Sequence, residues 1–138
     1  MKEWTAAADF ENIPVMAEQI GRELDILNCS QKAYKQIAVS VDELLTNIVS
    51  YAYNPGSGMM TVQMSYDADT ATVYLTFIDG GIPYNPLSHK DPDVTLKGED
   101  RSVGGLGILM VKSKMDGIEY RHENNKNILT IYKRIREE

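Results

Sequence analysis

Glu43 and Asn47 stand four positions apart in the run Glu43-Leu44-Leu45-Thr46-Asn47, a spacing that stacks two side chains on one face of an α-helix. A carboxylate there can accept the proton of an attacking hydroxyl, and an amide oxygen one turn later can ligate Mg²⁺. The same spacing also suits an ordinary solvated face shared with Ser40 and Gln36, and spacing alone does not choose between the two. Asp79, followed by Gly80 and Gly81, ends an apolar run. A carboxylate at that place can accept a hydrogen bond from the exocyclic amino group of adenine, where guanine would offer a carbonyl, and a neighbouring glycine lets a flat ring approach the backbone. Asp-Gly is equally a common strand-ending turn.

A third group is rich in glycine. Gly104, Gly105 and Gly107 read as preceding a helix, whose unpaired amide N–H groups and positive dipole end would converge where phosphates could sit. Lys97 and Arg101, just upstream, could neutralise phosphate charge or simply be solvated loop cations. Other nucleotide motifs fail. No Lys-Ser or Lys-Thr follows the glycines, and Met110 stands where a dinucleotide fingerprint starting at Gly105 needs its last glycine. His89 and His122 have no partners at ligand spacing, and Cys29 is the only thiol, so neither an all-protein metal site nor a disulfide is expected.

These residues need elements to carry them. Lys2 to Ala8 suits an edge strand, and Asn12 followed by Ile13 and Pro14 reads as a cap opening a helix to about Leu27. Ser30 reads as a second cap. From Tyr34 onward, Ile37, Ala38, Val41, Leu44, Leu45, Ile48 and Ala52 recur at helical spacing, and Asn54-Pro55-Gly56 must end that helix near Tyr53. Val62, Met64 and Tyr66, then Val73, Leu75 and Phe77, alternate as in a β-hairpin. An irregular segment follows, with a helix over Ile108 to Met115. Two more strands, Ile118 to Arg121 and Ile128 to Ile135, meet across Asn124-Asn125-Lys126. The order β, α, α, β, β, α, β, β predicts an α/β (α+β) two-layer sandwich: a mostly antiparallel, mixed sheet with helices on one face.

The chain has 138 residues, 43% hydrophobic and 25% charged, which suits one domain over residues 1–138. A net charge of -6 argues against direct DNA binding, which needs a basic face. Neither a membrane span nor a signal peptide is apparent, so a cytoplasmic protein is expected.

Taken in order, Glu43-Leu44-Leu45-Thr46-Asn47, Asp79-Gly80-Gly81 and Gly104-Gly105-Leu106-Gly107 resemble the ATP-binding superfamily of gyrase, MutL and the sensor histidine kinases. The run Gly105 to Val111 and the ending Leu129-Thr130-Ile131-Tyr132-Lys133 make the chain most similar to RsbW-type anti-sigma factor serine/threonine kinases. That resemblance implies a Bergerat-type fold binding ATP and Mg²⁺, with Glu43 as catalytic base and Asn47 as metal ligand. It further implies Asp79 as the adenine-reading carboxylate, Gly81 beside the adenine, Gly105 and Gly107 at the phosphates, and an ATP lid over about 82–103. Family members phosphorylate a serine or threonine on a small antagonist protein, sequester a sigma factor in their other state, and often form homodimers. A nucleotide-regulated binding module without useful turnover is the alternative. Two departures stand out: Ile82 and Pro83 replace a further glycine of the second box, and Lys126-Asn127 replaces the Gly-Thr that often opens the last strand.

Overall fold

The computed structural model describes residues 1–88 and 105–136. Five strands, β1 (Lys2–Ala7), β2 (Met59–Asp67), β3 (Thr72–Asp79), β4 (Gly117–Glu123) and β5 (Lys126–Arg134), form one sheet in the order β1-β2-β3-β5-β4. Every pairing is antiparallel, so the expected mixed character is absent among these strands. The reason lies in the connections. Two of the four pairings, β2 with β3 and β4 with β5, are hairpins, and the remaining two are set by segments that return the chain in the opposite sense.

Three helices, α1 (Ile13–Ile26), α2 (Gln31–Asn47) and α3 (Gly105–Lys114), complete the described chain with short 3-10 turns and a π-helical stretch, Ile48–Ala52, that prolongs α2. Strand alternation decides where the core sits. Met60, Val62 and Met64, Val73, Leu75 and Phe77, and Leu129 and Ile131 are buried together with Met16, Ile20, Leu24, Ile37, Val41, Leu45 and Val111 of the helices. The opposite face carries cross-strand polar pairs, Thr5 with Thr61 and Thr76 with Thr130, each 2.9 Å apart. This is the two-layer arrangement that the alternation requires.

Local chemistry fixes the joints. Ser30 caps α2, its Oγ accepting from the Ala33 amide at 3.1 Å, as its residue type predicts. Asn12 does not cap α1. Its backbone is already helical, because a 3-10 turn over Phe10–Asn12 runs directly into α1, and its side chain instead donates to Ala7 O at 2.9 Å. Asn28, at φ 57°, ends α1 in the left-handed region, with the Cys29 amide returning to Leu24 O at 3.1 Å. Asn124 and Asn125, at φ 53° and 61°, make the tight turn whose twist suits a hairpin.

The expected α2 stripe is displaced in two places. Ala38 is exposed, whereas Ser40, expected on a solvated face, is wholly buried and donates to Gln36 O at 3.0 Å. α2 packs against α1 and α3 as well as the sheet, so its buried arc is wider than one stripe. α3 starts at Gly105, three residues earlier than the apolar run alone predicts, and Gly105 and Gly107 therefore lie inside its first turn.

Leu45 is fully buried where α2 meets the sheet, whereas Val39 is 39% exposed. Leu45→Ala should therefore lower unfolding free energy by about 2–5 kcal/mol, and Val39→Ala by well under that, measured by urea denaturation of both variants.

Candidate functional site

The C-terminal end of α2, the end of β3 with the stretch that follows it, α3 and the near ends of β4 and β5 enclose a cavity of about 300 Å³. Its walls are largely apolar, from Phe77, Ile108 and Leu129, with Asn47, Asn54, Asp79 and Asn127 among the polar interruptions. A slot of this kind suits a flat heterocycle fixed by a few polar contacts.

Asp79 is there because period two carries the buried row Val73, Leu75, Phe77 one step further. Its carboxylate is only 8% exposed, so it requires donors. Oδ1 accepts from the Gly81 amide and from Asn127 Nδ2, both at 2.9 Å. Both bonds fall on one oxygen, so Oδ2 keeps acceptor capacity for a ligand. Tyr120 stands beside this pair and donates its hydroxyl to Asn127 Oδ1. Burial and the Asp79 charge push the Tyr120 phenol up, against a lowering by the Tyr84 amide, which keeps it neutral and able to donate.

The stretch after β3 is bound to the end of α2. The Ile82 amide donates to Ala52 O at 2.8 Å. The Tyr53 hydroxyl accepts from the Gly80 amide at 2.7 Å and donates to Met59 O at 2.5 Å. Gly81 is required by this approach: a Cβ there would collide with the Ala52 carbonyl. Gly81 thus supports Asp79 from behind.

Glu43 is half-buried on α2, one turn before Asn47. Its carboxyl group lies against the first turn of α3, occupying the space that a side chain at Gly107 would need. Burial chiefly, and the neighbouring Asp42 charge secondarily, push its pKa up, which makes it a stronger base once deprotonated. The structure thus brings Asn47 and Asp79 to one cavity and sets Glu43 between that cavity's helix and Gly107. Gly105 opens α3. Gly104, Lys97 and Arg101, with His89 and most of the expected lid, lie outside the described residues. Asn127, Tyr120 and Tyr53 are site residues that motif reading did not single out. A change from Gly-Thr at 126–127 was the one signal for Asn127, and only strand pairing explains it.

The histidine kinase-like ATPase domain profile matches residues 6–133. The chain belongs to that family. Among curated relatives of this ATPase domain, the serine/threonine-protein kinase BtrW of Bordetella bronchiseptica is 27% identical over 95 residues, 69% of this chain and 66% of that protein. The serine-protein kinase RsbW of Bacillus mycoides is 24% identical over 99 residues, 69% of this chain and 61% of its own. The chain spans somewhat less than two thirds of the length of these relatives. Among solved structures, that of the RsbU and RsbW domains of Rv1364c from Mycobacterium tuberculosis overlays 98% of this chain and 33% of its own, with TM-score 0.62 and 14% identity. The histidine kinase domain of the Erythrobacter litoralis EL346 blue-light activated histidine kinase overlays 75% of this chain and 45% of its own, with TM-score 0.54 and 18% identity. Both likenesses concern the fold.

Two glycines of this ATPase domain should respond oppositely to a methyl group. Gly81→Ala meets backbone at Ala52 and should lower the melting temperature markedly. Gly107→Ala meets only the end of the Glu43 side chain and places a better helix former in α3, so its melting temperature should hold while the carboxylate is displaced and ATP turnover falls. Thermal melts paired with a turnover assay separate the two.

Proposed function

We propose that this chain, as one ATPase domain working in the cytoplasm, is an ATP-dependent serine/threonine protein kinase of the anti-sigma factor type. On this reading it phosphorylates a small antagonist protein and, in its other state, sequesters a sigma factor. One observation carries the proposal. A carboxyl group with a raised pKa lies against the first turn of a glycine-containing helix, one helical turn from an amide on the wall of a purine-sized slot. Capture of a partner without turnover has no use for such a base.

Adenine would enter between Phe77, Ile108 and Leu129, its amino group donating to Asp79 Oδ2. The phosphates would then extend toward the first turn of α3, where amide N–H groups and the helix dipole favour negative charge. Mg²⁺ fits the donor set. Asn47 offers a neutral amide oxygen on the cavity wall, and among the described residues no group of three or more His, Cys, Asp or Glu could hold a metal, so phosphate oxygens and water would complete the shell, as this ion prefers. When bound, it neutralises phosphate charge.

In the transfer itself, the serine or threonine oxygen of the partner attacks the γ-phosphorus and a new P–O bond forms. The bond to the bridging β,γ oxygen breaks, ADP keeps that electron pair, and Glu43 takes the hydroxyl proton. Gly105 would offer its backbone to the phosphates at the start of α3, and Gly107 leaves room for the Glu43 carboxyl beside them. On the family resemblance, Lys97 and Arg101 would supply positive charge to the phosphates and Gly104 an amide. The net charge of -6 favours a basic protein segment over DNA as the captured partner. No helix among the described residues is long and apolar enough to cross a membrane.

The decisive assay follows radiolabel from ATP to a co-encoded antagonist protein. Wild type should transfer it. Glu43→Gln should still bind ATP but transfer about 10²–10⁴-fold more slowly, and unchanged transfer would remove Glu43 from the mechanism. The base must be deprotonated to act and its pKa is raised. Transfer should therefore fail on acidification at a pH above the ordinary glutamate range, and Asp42→Asn should move that acid limb downward. A limb at the ordinary value in wild type would contradict the role given to burial.

A further inference from the structure

Asn127 is 7% exposed and uses its whole hydrogen-bonding capacity. Nδ2 donates to Asp79 Oδ1 and to Ile82 O, each at 2.9 Å. Oδ1 accepts from the Tyr84 amide at 3.1 Å and from the Tyr120 hydroxyl. Two donor hydrogens and two lone pairs are all that an amide has. Its orientation is set by chemistry: a carboxylate and a backbone carbonyl can only accept, and a backbone amide can only donate.

The register explains the meeting. Asp79 and Asn127 are direct partners across β3 and β5, where facing side chains touch. Tyr120 reaches the same point from β4, paired with Leu129 two residues further along β5. An aspartate carboxyl turns easily about its last side-chain torsion. Gly81 holds one oxygen by a single bond, and the second bond, from Asn127, fixes the plane. The same amide grips Ile82 and Tyr84, which line the cavity.

We infer that Asn127 is a positioning residue that fixes the base-reading carboxylate of Asp79 and the wall formed by Ile82 and Tyr84 as one unit, so that a single amide on the last strand sets nucleobase selection. This inference rests on the adenine reading of Asp79. It goes beyond that reading in assigning discrimination to a residue that need not touch the base. Without Asn127, Oδ1 keeps only the Gly81 amide, the carboxylate can swing about that one bond, and the amino group of adenine meets a less fixed acceptor.

The test is calorimetric titration of the full chain with ADP and with inosine diphosphate, whose base has a carbonyl in place of the amino group. Wild type should prefer ADP. Asn127→Val removes both donors, and the ADP preference should fall about tenfold or more, in keeping with loss of a hydrogen bond to a charged group, while inosine diphosphate binding changes little. If thermal melting shows that this variant does not fold, Asn127→Leu, close to asparagine in size and shape and without a donor, carries the same measurement. A variant that keeps the wild-type preference, or that weakens both nucleotides equally, overturns the inference and leaves the adenine reading standing. A wild type without preference defeats the adenine reading, and this inference with it.

Discussion

A carboxylate at the end of a buried row costs several kcal/mol unless donors meet it, and Asp79 is such a group. It continues the face of Val73, Leu75 and Phe77 and is almost as buried as they are. Much of the surrounding architecture satisfies this demand. The chain turns back after β3 so that the Gly81 amide reaches Oδ1, and β5 pairs in a register that places Asn127 opposite. The close approach of that turn to the end of α2 excludes a side chain at position 81. A polar group in an apolar wall thereby becomes a fixed acceptor facing the cavity.

The helix α2 serves the other half of the site. One of its sides buries Ile37, Val41 and Leu45 in the core, and another faces α3. Glu43 lies in that second interface, which is why its carboxyl is partly desolvated without being part of the core. Asn47, a turn later, lines the cavity. The π-helical stretch Ile48–Ala52 then carries the chain to Tyr53, whose hydroxyl ties Gly80 to Met59. One continuous segment thus joins Glu43, Asn47 and the Tyr53 clamp, the groups proposed as proton acceptor, metal ligand and support of the nucleobase wall.

Period two in β2 and β3 was enough to place the core and to put Asp79 on its side of the sheet, and helical spacing was enough to put Glu43 and Asn47 on one face. The α+β sandwich follows from those periods and the turn residues. What sequence could not reveal depends on distant pairing. Asn127 meets Asp79 only because β5 lies beside β3, a neighbour that arrives after an intervening helix. Ser40 is buried because α2 is covered on more than one side, which no single stripe discloses. The glycines at 105 and 107 are poor helix formers in isolation, yet packing of α3 against α2 draws them into its first turn. Asn12 has the residue type of a cap, but the turn before it had already satisfied the role.

On the proposed reading, a purine nucleotide lies with its base between Phe77 and Leu129 and its phosphates at the start of α3. A crystal structure of the chain with Mg²⁺ and a non-hydrolysable ATP analogue tests it most directly. The adenine amino group should lie within hydrogen-bonding distance of Asp79 Oδ2 and the phosphates beside Gly105 and Gly107. A nucleotide bound elsewhere, or in this slot with its base turned away from Asp79, would contradict it.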